Sequence, residues 1–143
     1  MSLLALAATA MLVPAAQPVH SIPIEHRGAT YRVDYKPHVE TSMRVVGMSA
    51  GPRPSTQRCV VNARVSVERV IAGGQGQELK AMLPGSETFQ QHLPGSCHGR
   101  DGDAAKVVAA KAGAIATHLA RSAAADRTAA LAAIDSAHHF AAN

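Results

Sequence analysis

The densest run of reactive side chains is CHGRDGD at residues 97–103, which sets His98, Arg100, Asp101 and Asp103 in one loop behind Cys97. Imidazole and carboxylate groups gathered this closely suit a small metal site. Arg100 beside the N-terminus of a following helix suits an anion. A structural reading competes with both: a disulfide-anchored loop running into a doubly capped helix. The Cys-His-Gly portion matches the end of a c-type haem attachment motif, but Pro94 stands where that motif needs its first cysteine. The expectation is therefore a disulfide-anchored structural loop, with His98, Arg100, Asp101 and Asp103 as its candidate anion or ligand site and with no cofactor.

The eight histidines invite a wider metal hypothesis that their spacing does not support. There is no HExxH arrangement and no i, i+4 pair on a helix. His138 and His139 are adjacent, so they point to different sides of a helix, and near its C-terminus they favour the macrodipole. No resident metal is expected. Nucleophilic catalysis lacks a local signature as well, since neither a GxSxG elbow nor Ser-x-x-Lys with Lys-Thr-Gly occurs. The ten carboxylates are dispersed among Arg and Lys. These observations weigh against an enzyme without excluding one.

The elements that must position these groups begin with a leader. Residues 2–13 form an uncharged apolar run, followed by Pro14-Ala15-Ala16 and a polar segment from Gln17. That is the shape of a secretory signal peptide with a small-residue cleavage site. The run is shorter than the roughly 20 residues that span a bilayer, so no membrane span is expected after cleavage. Export would place Cys59 and Cys97 where they pair. Closing a loop of this length is worth about 4 kcal/mol in the chain-entropy model.

Net charge is +4 and the pI near 9.5. A basic balance can signal nucleic-acid binding, but the leader, the 3% aromatic content and the dispersed basic residues oppose it. Charge allows a weak preference for anionic envelope components. Arg32, Arg44, Arg58 and Arg64 are expected on one sheet face, paired across strands with Asp34, Glu40 and Glu68.

Residues 17–28 read as an extended N-terminal arm. Alternation then predicts a strand through Tyr31, Val33 and Tyr35, ended by Pro37, and another through Val39, Thr41, Met43 and Val45. Gly47 to Pro54 is a loop. Cys59, Val61, Ala63, Val65, Val67 and Ile71 share one parity, which turns Cys59 inward with the valines. Gly73-Gly74-Gln75-Gly76 reads as a hairpin turn leading to a strand through Leu79, Ala81 and Leu83. Leu83-Pro84-Gly85 and Leu93-Pro94-Gly95 predict two type II turns bracketing Phe89. From residue 104 the chain is proline-free and rich in alanine, hence helical. Asp103 is the expected N-cap, with Asp101 as an alternative start. A sideways jump of the apolar stripe near Ala125 predicts a kink or a second helix capped by Asp126.

The segments IPIEHRGATYRVDY (22–35) and RPSTQRC (53–59), with a later cysteine before an Ala-rich helix, resemble small exported periplasmic bacterial proteins of unassigned function. That resemblance implies a periplasmic or secreted address and supplies no catalytic residues. The sequence thus predicts a signal peptide at 1–16, an arm at 17–28 and a single α+β domain at 29–143. The domain is an antiparallel meander of about four strands backed by one C-terminal helix or a pair. Its expected function is a disulfide-bonded binding module of the bacterial envelope. The partner would be an envelope protein or an anionic envelope component, and homodimerisation stays open. The alternative is a small periplasmic enzyme or metal-binding protein using residues 97–103. An inhibitor of a cell-wall hydrolase, acting through Gly47 to Pro54 or Gly73 to Gln77, is a third reading.

Overall fold

A computed structural model describes residues 17–73 and 76–142. The expected signal peptide and the Gly74-Gln75 tip of the second hairpin lie outside the described residues. Gly73 N–H nonetheless donates to the Gln77 carbonyl at 2.8 Å across the base of that hairpin.

The segment expected as a free arm contains the first strand. In β1 (His20–His26), Ile22 and Ile24 face inward and pair with β2 (Ala29–Val46) through a two-residue turn. Arg27 and Gly28 both take positive φ, 52° and 75°, as a type I′ hairpin turn demands. Polar residues and three prolines nearby obscured the short Ile-x-Ile alternation.

β2 runs for 18 residues straight through Pro37, where an end was expected. Pro37 lies opposite Val67 of β3 (Arg58–Ala72). The Val67 carbonyl accepts from Leu83 N–H at 2.8 Å, so Val67 directs its polar backbone groups away from β2. The two residues therefore form a non-hydrogen-bonded pair, and the Pro37 nitrogen points away from β3. β1 has already ended on that side, at His20 opposite Tyr35. A missing N–H costs nothing where no acceptor waits.

β3 is the central strand. β4 (Glu78–Met82) pairs with its later half and β5 (Glu87–Pro94) with its earlier half, all antiparallel. β5 was expected only as a linker between two turns. Gly85 and Gly95 do take the positive φ those turns need, 85° each. The residues between them alternate Phe89, Gln91 and Leu93 inward with Thr88, Gln90 and His92 outward. The sheet thus has five strands, because one long strand replaces two expected ones and β1 and β5 are added. The class is α+β.

The long β2–β3 connection starts at Gly47, where φ is 94° and a Cβ would meet the Thr56 carbonyl oxygen at 2.5 Å. Only glycine fits there.

Two helices cover the inner face. α1 (Asp103–Ala110) follows Gly102, which occupies the N-cap position with no side-chain bond, so Asp103 is not the cap. α2 (Ala112–Ala141) is continuous for 30 residues. The interruption falls at Lys111 and not near Ala125. Ile115, Leu119, Ala123, Asp126, Ala130 and Ile134 are all buried along α2. The 19 residues from Ile115 to Ile134 carry this stripe about 100° around an ideal helix. The stripe winds rather than breaks, as expected of a long helix laid over a twisted sheet. Asp126, read as a second cap, sits inside it.

The main core joins Ile24, Val33, Tyr35, Val65, Val67 and Ile71 to α2. A smaller cluster of Cys59, Val61 and Val107, with Met43, Leu93 and Cys97 around it, sits under α1. The Cys59–Cys97 disulfide ties β3 to the loop that launches α1.

Candidate functional site

The difference in length between β1 and β2 leaves the later part of the β2 edge without a strand partner among the described residues. β1 spans β2 only as far as Tyr35, while β2 continues to Val46. Alternation from Pro37 fixes which groups point off that edge. Val39, Thr41, Met43 and Val45 direct backbone N–H and C=O outward, and the even residues bond to β3. The outer edge of β1 is blunted by Pro23 and Glu25, whereas residues 38–46 contain no proline.

Beside this edge lies a groove of about 550 Å³ between Val39 and Thr41 on one wall and Ala105 and Val108 on the other, with Gln17 and Pro18 closing its end next to β1. Small residues on α1 hold it open. Val45 at the end of the edge is 45% exposed despite its inward parity. Unpaired strand backbone next to an apolar trough is the chemistry of strand addition.

The residues singled out at 97–103 are differently disposed. Arg100 is consumed by its own loop: Nε donates to the Ser96 carbonyl at 3.0 Å, Nη2 to the Pro94 carbonyl at 2.6 Å and Nη1 to Asp103 at 2.9 Å. Asp103 also accepts from Lys106 at 3.1 Å. Lys106 and then Arg100 hold its carboxyl below the usual range. His98 and Asp101 are exposed, and Asp101 lies at the rim of the groove. Among the described residues no group of three or more His, Cys, Asp and Glu could hold a metal ion.

Register places Arg32, Arg44, Arg58 and Arg64 on the outer face, as expected. Their pairing is only partly as expected. Arg32 bonds Asp34 at 3.0 Å. Glu68 takes His38 at 3.2 Å, and Arg64 donates to Ser86 at 2.9 Å although Glu40 lies opposite it. Among the described residues Glu40, Arg44 and Arg58 have no ion-pair partner.

Polar pins that sequence reading missed hold α2 to the sheet, among them a contact of the Tyr31 hydroxyl with His138. Glu87 meets His118 and Arg121, and Asp135 takes His26 at 2.8 Å and Arg27 at 2.7 Å. Between them, buried Asp126 accepts two bonds from Arg69 and one from Tyr35. Arg69 shares the odd parity of the inward valines on β3. A charged residue at a core parity was the signal.

Compared with protein-family models, with curated proteins and with solved structures, the chain matches none. Its function must come from its own residues. The disulfide fits a compartment more oxidising than the cytosol. No helix among the described residues is long and apolar enough to cross a membrane.

Proposed function

We propose that the chain is a small exported binding module of the bacterial envelope that takes up an extended strand along the open edge of β2. The observation that carries this is the outward backbone of Val39, Thr41, Met43 and Val45 beside an apolar groove. Backbone pairing would supply affinity, and pockets for alternate side chains would supply selectivity. Export is supported by the leader-like residues 2–13 and by the Cys59–Cys97 disulfide. An activity at residues 97–103 is less well supported, because Arg100 and Asp103 already satisfy each other and their loop. The partner is a protein strand rather than an anionic glycan.

The test is site-specific photo-crosslinking in cells that process the chain after Ala16 and accumulate it outside the cytosol. A crosslinker at position 41 or 43 should give a discrete adduct, while one at Lys80 or Gln90 on the outer faces of β4 and β5 should not. Absence of an adduct at the edge, or adducts only at 80 and 90, would overturn the reading. Retention of the uncleaved chain in the cytosol would overturn the export part.

A further inference from the structure

We infer that the strand received at this edge is β2 of a second copy, giving a two-fold dimer with one continuous ten-stranded sheet. The inference rests on the edge being the binding site and adds the identity of its occupant. Two antiparallel copies of an edge can meet only in registers that set outward-facing residues opposite one another. For β2 this means odd opposite odd, so that the two-fold axis passes through a residue and not between two.

Charge then selects among these registers. An axis through Ser42 sets Glu40 opposite Arg44 of the other copy, and Arg44 opposite the other Glu40, on the outer face. Within one copy neither residue has an ion-pair partner among the described residues. In this register the two are non-hydrogen-bonded pairs, the closer type for side chains. An axis through Glu40 or Arg44 would set like charges face to face, which is destabilising. An axis through Thr41 or Met43 would leave both charges unmatched.

The inner face agrees with the same register. It pairs Val39 with Val45 and Thr41 with Met43 of the other copy, all four through backbone hydrogen bonds, each pair occurring twice. The half-exposed Val45 would enter the groove beside Val39, under the alanines of α1. The interface is isologous and closes on itself, so it yields a dimer and not a filament.

The test uses the disulfide-bonded protein and its charge variants in sedimentation velocity and native mass spectrometry. The wild type should show twice the monomer mass at micromolar concentration. Glu40→Arg and Arg44→Glu each place like charges together twice and should weaken the dimer by about tenfold or more. Mixing these two variants should restore a heterodimer, and the double variant E40R/R44E should restore the homodimer. Thr41→Pro, which removes an outward N–H, should yield a folded monomer. A monomeric wild type, or no recovery on mixing, would overturn the proposal. Should the wild type stay monomeric while a crosslinker at position 41 traps a chain of different mass, strand addition stands and self-pairing falls.

Discussion

Arg69 on β3 and Asp126 in the middle of α2 form a buried ion pair, with Nη1 lying 3.0 Å from both carboxylate oxygens. The two residues are 8% and 9% exposed, and Nε of Arg69 has no hydrogen-bond partner among the described residues. Removing one member leaves an uncompensated buried charge, which costs about 3–5 kcal/mol. Asp126→Ala and Arg69→Ala should each lower the urea-unfolding free energy by that order. The apolar double variant R69M/D126L should recover most of the loss. A double-mutant cycle without coupling would show that the pair does not act as a unit.

Tyr35 completes this pin by donating to Asp126 at 3.1 Å. Burial, followed by the charge and hydrogen bond of Asp126, pushes its hydroxyl up to about 12. The folded chain therefore keeps a proton that an unfolded tyrosine loses near pH 10. Folding stability from this source is complete below about pH 10 and is lost as pH rises toward 12, up to about 3 kcal/mol. Tyr35→Phe should cost about 1–3 kcal/mol at neutral pH and should flatten the alkaline limb of the stability profile. Equal slopes for the two proteins between pH 10 and 12 would refute the assignment.

The inward parity of β3, the inward cysteine and the α+β class were legible because alternation over many residues is a strong signal. Pro37 misled because proline usually ends a strand, yet Tyr31, Val33, Tyr35, Val39 and Met43 keep one parity across it. That continuity was the clue to a single strand whose proline faces an open edge. β5 was hidden by its two Pro-Gly turns, which mark the ends of a strand as readily as a loop. Asp126 looked like a cap because it stands where the apolar stripe shifts sideways and because aspartate favours that position. Its partner is 57 residues away on β3, and such a pairing leaves no local pattern. The open edge was invisible because it depends on where β1 stops.

The disulfide should stabilise one end of the molecule more than the other. It closes a loop of 38 residues, for which chain entropy predicts about 4 kcal/mol. The small cluster of Cys59, Val61 and Val107 depends on it directly, whereas the larger core under α2 does not. Reduction, or the C59A/C97A variant, should lower the unfolding midpoint. In hydrogen exchange, β5 and α1 should lose protection before the β1–β2 hairpin does. Uniform loss across both clusters would contradict this division.

Arg100 acts as the brace of the loop between β5 and α1, and its removal separates a structural role from a ligand-binding one. Arg100→Ala frees the carbonyls of Pro94 and Ser96 and strips Asp103 of one of its two cations. Tm should fall by about 3–6 °C. Asp103 is held below the usual carboxylate range by Lys106 and Arg100. Its contribution is therefore present above about pH 4 and is lost as pH falls through the folded value. Without Arg100 that acid-side loss should shrink, so the gap between wild type and variant should narrow as pH falls below about 4 without closing, because the bonds to Pro94 and Ser96 do not titrate. His98→Ala and Asp101→Asn, which break no side-chain hydrogen bond or ion pair among the described residues, should leave both Tm and the acid limb unchanged. A large fall in Tm for either would show that the exposed pair supports the loop in a way Arg100 does not.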